Sequence, residues 1–270
     1  MMTLIRMELY KLVAGRWLLV ACGGIVAAAV LQAAMHYQWS DRSAWESIVR
    51  FPYASGAAYE AILLLFVLPG CFNLERQWGT LTLLLSSRNG RTKVPSAKLW
   101  AASLYTTGVV AGCWLLGLTI HLSYGGWEGW DVALQSMPGY ADSPWIMPIW
   151  QYVLIQIGTN WLGCMTFMLF LLWLSAACRS SLTVFFLGGI VFVLSFLIHN
   201  FSVFSLPWAL KNLTMMEVLR VENVFNRPRY VLAGPWALHL HPGWFYLYTI
   251  LLAVVLACSA NRRARREEAT

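Results

Sequence analysis

The sequence predicts an all-α, polytopic membrane protein with six transmembrane helices. Hydrophobic residues make up 59% of the 270 residues and charged residues only 11%, whereas soluble domains carry about a quarter charged residues. A soluble protein of this composition would expose large apolar patches. The apolar residues also occur in runs of about 20, which is the length that a helix needs to cross a bilayer. The bilayer is therefore the predicted solvent for most of the chain.

Six apolar runs are the candidates for the membrane-spanning helices. The first is longer than the apolar core of a signal peptide, and no small-x-small cleavage site follows it, so we expect a retained helix. The transmembrane domain is predicted at 17–260, and the tail at 261–270 is typical of a stop-transfer anchor. The six runs lie at about 17–37, 53–73, 99–123, 149–177, 182–204 and 243–260.

The first sixteen residues form a separate element ahead of the first span. At 100° per residue, the apolar side chains share one arc, and the polar side chains face elsewhere. This pattern favours an amphipathic helix that lies in the membrane interface, with its cations near anionic headgroups. The alternative is a plain cytosolic extension of the first span. The apolar arc consists of Met2, Ile5, Leu9, Leu12 and Val13.

The distribution of lysine and arginine predicts the orientation. With the N-terminus inside the cell, 13 of the 19 basic residues fall on the inner side, as the positive-inside rule requires. Nine of the 15 tryptophans fall in the outer loops or at their borders, which is typical of an aromatic belt. We therefore expect a multi-pass plasma (inner) membrane protein with both termini in the cytoplasm.

Two outer loops are long, at about 124–148 and 205–242. Loops of this length rarely lack structure of their own. Short helices that dip into the outer leaflet are one expectation, provided that other helices shield them from lipid. The loops are rich in aromatic residues, so they could also bind an extracellular ligand.

The segment between the second and third spans combines a leucine row with basic residues. Four apolar side chains recur at i, i+4, i+7 and i+11, which indicates one helical face. Gly79 is expected to interrupt this helix at about Trp78, and Thr80 can cap a short second helix that ends near Ser86. Such a segment suits docking into a groove of another protein. In the alternative interpretation, the leucines lie on the inner leaflet. The four side chains are Leu74, Trp78, Leu81 and Leu85.

The same segment resembles a motif in the membrane subunits of ABC-2 type transporters. The run Glu75-Arg76-Gln77-Trp78-Gly79-Thr80-Leu81 is similar to the family's E-x-x-x-G-T-L motif. The motif is followed by a leucine run at 83–85, by two serines, and by the basic residues Arg91 and Lys98. In the family, a leucine run, a serine and basic residues likewise follow the motif. The N-terminal Arg6-x-Glu8-x-x-Lys11 is similar to the family's elbow helix. One position departs from the pattern, because this chain has Arg88 where members often have proline.

The resemblance implies that the chain is the permease subunit of an ABC exporter. It implies a coupling helix between the second and third spans, cytosolic ABC ATPase subunits as partners, and a second permease subunit, identical or related. ATP and magnesium would bind in the partner ATPase, because this chain has no G-x-x-x-x-G-K-[ST] run and is not expected to be an enzyme by itself. The implied ATPase-coupling residues are Glu75, Trp78, Gly79, Thr80, Leu81 and Leu85.

Polar and aromatic residues inside the spans are candidates for a substrate path. A carboxylate in a span is costly and therefore a functional candidate, so Glu60 is expected to contact substrate, or else to lie at the boundary in water or pair with Arg50. Phe185, Phe192 and Phe196 follow one face of the fifth span. In the resembled family, the second and fifth spans line the path, but a lipid-facing or packing stripe is the more frequent explanation of aromatic residues at this spacing. An amphipathic or hydrophobic peptide, antibiotic or lipid is the expected cargo.

Other function classes have weaker support. Ser195 and His199 lie at i, i+4, but no third group of a hydrolase is identifiable, so a serine that bonds its own backbone is favoured. The histidines and six cysteines lack metal-ligand spacing. The basic residues flank spans rather than form a nucleic-acid-binding face. The main alternative to transport is a membrane immunity or sensor protein that binds an extracellular ligand through its aromatic loops.

Overall fold

The structure is a computed structural model that describes residues 1–39, 43–79, 90–200, 225, 230–233, 236–239 and 243–267. These residues are mostly helical. Five helices are long and apolar enough to cross a membrane: Arg16–Trp39, Ala44–Gln77, Lys93–Gly125, Ile149–Ala177 and Gly243–Arg263. The chain is therefore a multi-pass helical protein of membrane character.

The predicted fifth span corresponds to a helix at the lower limit of spanning length. It covers Ser181–Asn200, and its apolar part, Ser181–Ser195, is shorter than the other five. The remainder of the predicted run, 201–204, lies outside the described residues. Six spans therefore stay a prediction, whereas five long apolar helices are confirmed.

The helices are numbered here in chain order. Consecutive spans run in opposite directions and pack around a core that α6 and α7 share with the second span. The bounds are α1 Met2–Val13, α2 Arg16–Trp39, α3 Ala44–Phe51, α4 Ala57–Val67, α5 Gly70–Gln77, α6 Gly90–Gly125, α7 Ile149–Ala177, α8 Ser181–Asn200 and α9 Gly243–Glu267.

The second span is longer than predicted and is built from three helices. It begins at Ala44 rather than at residue 53, because Ser43 caps α3 by accepting a hydrogen bond from the Glu46 amide at 3.2 Å. A π-helical turn at Pro52–Gly56 joins α3 to α4. Leu68 and Pro69 form a turn that separates α4 from α5, since proline cannot donate a backbone hydrogen bond.

The third span also begins earlier than predicted, at Gly90 rather than at residue 99. Lys93 and Lys98 therefore lie on helical turns, as do Gly90 and Arg91. Lys93 and Lys98 are expected in the loop because they are charged, but a charged side chain that has partners can lie on a spanning helix. The predicted short helix at 80–86 lies outside the described residues.

The N-terminal helix packs on the core through part of the predicted apolar arc together with an acid. Glu8 and Leu12 are its buried residues, and Ile5 and Leu9 pack beside them. Met2 and Val13 are exposed, although the arc included them. The packed face therefore extends from the arc to Glu8, for which the ion pairs described below give the reason.

The connection between α6 and α7 folds on itself without the expected helices, apart from a 3₁₀ turn at Leu134–Ser136. The Leu134 amide donates to the Met147 carbonyl at 2.9 Å and the Ile149 amide donates to the Val132 carbonyl at 3.0 Å. The side chain of Leu134, a residue of this loop, is fully buried in the core of the bundle. The loop therefore covers one end of the bundle as an ordered cap.

In the second long loop, the described residues contain a short hairpin, and Phe225 is helical. Strand β1, Tyr230–Ala233, pairs antiparallel with β2, Trp236–His239. Tyrosine, valine and tryptophan fit the pleated backbone of a strand better than that of a helix. This hairpin is the one departure from an all-α fold among the described elements.

Glycines permit close helix contacts at two places. A Cβ atom on Gly188 of α8 would lie 2.5 Å from the Leu171 side chain and 2.9 Å from Leu65, whereas Gly189 has open space. Of these two glycines, Gly188 is therefore the one at which α8 closely approaches its neighbours. A Cβ atom on Gly125 would lie 2.8 Å from the Cβ of Ala44 and 2.9 Å from its backbone nitrogen, so the last turn of α6 touches the first turn of α3.

Gly125→Ala should destabilise the protein, because the added methyl group meets backbone atoms of Ala44 that cannot rotate away. The expected loss is about 1–3 kcal/mol, which is the usual effect of overpacking. Thermal unfolding in detergent measures it. Gly158→Ala on α7 is the matched control, because its surroundings are open and alanine favours a helix. Equal melting temperatures for the two variants would contradict the close contact.

Candidate functional site at the basic end of the bundle

Five chain segments meet at the end of the bundle where α1 packs, and we call this the basic end. Here α5 ends and α6 begins, and the end of α7 lies beside the last turns of α9. The Arg263 guanidinium lies 4.8 Å from the centroid of the Trp173 ring. This contact joins α9 to α7. The opposite end carries the exposed Trp39, Trp127 and Trp130, and we call it the aromatic end.

The short helix α5 lies at the centre of the basic end. The break at Pro69 separates it from α4, so it can take its own direction. Its first turn bonds to α7: the Ser175 hydroxyl donates to the Pro69 carbonyl at 3.0 Å and accepts from the Phe72 amide at 3.2 Å. Ser175 is fully buried. A side chain from α7 thus satisfies backbone groups that the break leaves without helical partners.

One face of α5 carries a polar cluster, which we define as Asn73, Arg76, Ser175 and the carbonyls of Pro69 and Cys178. Fully buried Asn73 accepts a hydrogen bond from the Arg76 guanidinium at 3.2 Å. That guanidinium also donates to the Cys178 carbonyl at 3.1 Å, just past the end of α7. A cation near a helix C-terminus stabilises the partial negative charge there. The polar cluster therefore fixes α5 against α7.

The opposite side of α5 carries an ion cluster, which we define as Glu8, Lys11, Glu75 and Lys98. The Lys98 ammonium lies 2.9 Å from a Glu75 carboxylate oxygen and 3.3 Å from a Glu8 oxygen. It also donates to the Cys71 carbonyl. An ammonium has three donors, and here three oxygen atoms receive them. The Lys98 side chain is only 3% exposed.

Lys11 completes the ion cluster at its rim. Its ammonium lies 2.6 Å from Glu8 and 3.2 Å from Glu75 and is partly exposed. Two cations therefore face two carboxylates, and the buried group is neutral overall. Buried charges are stable only when they are paired in this way. The cluster ties together α1, α5 and α6, which carry Glu8, Glu75 and Lys98 respectively.

The residues expected to contact an ATPase occupy different environments. Glu75 is 7% exposed and points into the ion cluster, whereas Trp78 is 69% exposed. The helix ends at Gln77, and Gly79 has φ = 67°, a conformation that glycine adopts without strain. This agrees with the expected interruption at Gly79. Thr80, Leu81 and Leu85 lie outside the described residues.

The candidate path residues inside the spans are packed against neighbouring helices. Phe185 meets Phe66 with ring centroids 5.9 Å apart, and Phe192 meets Phe167 at 6.3 Å. The side chain of Phe196 lies outside the described part. These contacts agree with the packing interpretation of the stripe, and the path role stays a prediction.

Glu60 lies on α4 and is fully buried. The Asn160 amide of α7 donates to one carboxylate oxygen at 2.7 Å, and the Cys164 thiol donates to the other at 3.3 Å. The expectation of a position in water is therefore wrong, and Arg50 pairs with Glu46 at 2.9 Å instead. A role of Glu60 in substrate contact stays a prediction.

Ser195 takes the conformation that the sequence favours for a structural serine. Its hydroxyl donates to the Val191 carbonyl, one turn back, at 2.9 Å. The side chain of His199 lies outside the description. Among the described residues, no group of three or more His, Cys, Asp or Glu side chains could hold a metal ion.

Sequence reasoning did not find the polar cluster and recognised only parts of the ion cluster. Lys98 was placed in the loop, and Ser175 carries no distinguishing pattern. Two spacings could have signalled the clusters: Glu8 and Lys11, and Asn73 and Arg76, each lie at i, i+3, so each pair shares a helix face. Their partners on other helices could not be found from spacing alone.

Lys98→Met should destabilise the basic end, because it leaves Glu8 and Glu75 buried with only the peripheral Lys11 as a cation. Breaking a buried ion pair by removing one partner costs about 3–5 kcal/mol. Thermal unfolding and tryptic cleavage within α1, at Arg6 or Lys11, measure the effect. The variant should melt at a lower temperature and lose α1 to trypsin sooner.

Lys93→Met is the matched control, since it makes the same change on an exposed side chain of the same helix. It should leave both readouts close to those of the unmodified protein. If both lysine variants behaved alike, the buried ion pairs would not be what holds α1 in place.

A scan against protein-family models matched none, and a search of the curated proteins found no matching relative. The functional assignment therefore depends on the sequence motif and on the geometry of the basic end.

Proposed function

We propose that the chain is the permease subunit of an ATP-driven ABC transporter, and that the segment after α5 is its contact with a separate ATPase subunit. The motif at 75–81 is the basis of this proposal. The observation that supports it best is the position of Trp78, which is a large apolar side chain, 69% exposed, directly beyond the clamped helix α5. Aromatic side chains of this kind are frequent anchors of protein interfaces.

The two helices that flank residues 80–89 in sequence are joined to each other and to other helices, so a movement applied between them would be passed on. The segment is bounded by α5 on one side and α6 on the other, and the pair Glu75–Lys98 joins these two helices at 2.9 Å. A partner that moved the segment would therefore act on both helices together. Through Glu8 the motion would reach α1, and through Arg76 it would reach the end of α7.

This arrangement divides the motif into two roles. Trp78 is available to an external partner, and Glu75 acts as a positioning residue that fixes the base of the segment. Because ATP binding and release would favour different arrangements of the ATPase pair, the permease would alternate between two states of access. The proposed direction is export, and the proposed cargo is an amphipathic or hydrophobic molecule. The alternating path would lie between this chain and a second permease subunit.

Trp78→Asp should abolish co-purification of the ATPase subunit, because a carboxylate at an apolar anchor disrupts docking. The tagged chain is captured from native membranes in mild detergent. Co-eluting polypeptides are identified by mass spectrometry, and Mg²⁺-dependent ATP hydrolysis is measured in the eluate. The unmodified chain should bring down a polypeptide with the ABC ATPase signatures, and Trp78→Asp should lose at least about 90% of it, a tenfold effect that corresponds to about 1.4 kcal/mol.

Trp127→Asp is the matched control, because this tryptophan is also 69% exposed but lies at the aromatic end. It should retain both the ATPase polypeptide and the hydrolysis. Two results would overturn the proposal: full ATPase recovery with Trp78→Asp, or an eluate of the unmodified chain that contains no ATPase polypeptide. The second result would favour the immunity or sensor interpretation.

A further inference from the structure

Two cavities follow one another along the interface between α2 and α6. The larger has a volume of about 460 Å³ and an apolar lining, and it lies towards the basic end. The smaller has a volume of about 140 Å³ and a partly polar lining, and it lies towards the aromatic end.

The residues that line the two cavities continue along the same helix faces. On α2, Cys22 and Ile25 line the larger cavity, and Ala29, Ala33 and His36 line the smaller. These positions recur at intervals of three or four residues, so they form one stripe. On α6, the lining likewise passes from Leu116 to Gly117 without a gap in sequence. The two cavities are therefore neighbours along the same pair of helices, and together we call them the crevice.

The apolar half is open because glycines stand where side chains would otherwise fill it. A Cβ atom on Gly108 or Gly112 would meet no heavy atom within 4 Å. Protein interiors rarely leave such voids, and helix pairs in membranes use glycine to approach closely. Here the glycines face space instead, so a hydrocarbon chain can lie where α2 and α6 do not touch.

The polar half offers hydrogen-bond donors, among them a guanidinium that is paired with one carboxylate. Its lining includes the Arg50 guanidinium and the imidazoles of His36 and His121. No carboxylate is among the described residues that line it, although Glu46 pairs with Arg50 at 2.9 Å. A guanidinium has five donors, so one carboxylate partner leaves capacity for a second. Gln32, Ser47 and Ser55 also line this half.

We propose that the crevice binds a single-chain amphiphile with an anionic head, such as a fatty acid. The chain lies against Gly108 and Gly112, and the carboxylate lies near Arg50 and the two histidines. The volume of the apolar half falls within the range of small-molecule sites, about 300–1,000 Å³. None of these residues belongs to the motif at 75–81, so the inference does not depend on the proposed function.

The test uses hexadecanoic acid with a diazirine at the end of its chain. The protein is reconstituted in phosphatidylcholine nanodiscs and irradiated, and the labelled peptides are mapped. Label should concentrate on Leu104–Leu116 and Cys22–Val26, and unlabelled hexadecanoic acid should compete with it. The methyl ester, which lacks the charge, should compete at least about tenfold less well.

Gly112→Leu should reduce saturable labelling at least about tenfold, because the new side chain occupies the cavity and its Cβ atom meets no heavy atom within 4 Å. Gly158→Leu makes the same change on α7, also in open surroundings, and should leave labelling unchanged. If Gly112→Leu fails to fold, Gly108→Leu takes its place. Arg50→Gln should remove the preference for the acid over the ester.

Three results would overturn the inference. The first is label that spreads over all lipid-facing spans and does not saturate, as bulk lipid would give. The second is equal competition by the acid and its ester. The third is equal labelling of Gly112→Leu and Gly158→Leu when both variants are folded.

Discussion

The ammonium group of Lys98 determines how the basic end of the bundle is assembled. A cation that is only 3% exposed costs several kcal/mol to remove from water unless partners replace its hydration. The partners are Glu8, Glu75 and the Cys71 carbonyl, and they come from two other helices. The requirement to satisfy one buried charge therefore fixes α1 and α5 against α6, at distances within hydrogen-bond reach.

Because of the break at Pro69, the contacts of the ion cluster can set the direction of α5. Because α5 is separate from α4, its direction is not set by the second span, and side-chain contacts must set it. The ion cluster holds one side of α5, and Asn73, Arg76 and Ser175 hold the other. The outcome is a short helix that is rigidly placed although its backbone is interrupted. Trp78, at its end, is consequently presented outward at a defined position.

Hydropathy predicted the spans well wherever apolar residues alone decide the boundary. The fourth span, 149–177, was predicted to the residue. The starts of the second and third spans were wrong because Arg50 and Lys98 were treated as marks of a loop. Each is paired in the structure, with Glu46 and with Glu75 respectively, and a paired charge can lie within a helix of the bundle.

Sequence reasoning could predict features that depend on neighbouring residues, but not contacts between residues far apart in the sequence. Gly79 could be predicted because a positive φ is a local requirement of the backbone. The partners of Glu60 could not, because Asn160 and Cys164 are about 100 residues away in sequence and no local pattern indicates them. The helical wheel of α1 considered the apolar residues, so it gave no position for Glu8, whose partners Lys98 and Lys11 explain its burial.

The N-terminal helix α1 connects the ion cluster with the crevice. Glu8 belongs to the ion cluster, and the next residue, Leu9, lines the apolar half of the crevice together with Val13. Since a helix of three turns moves as one body, a displacement of Glu8 by α5 would shift the wall of the crevice as well. Coupling between two sites is reciprocal, so an amphiphile in the crevice would favour one position of α5. The ligand would then act on the proposed ATPase contact although it touches no residue of the motif.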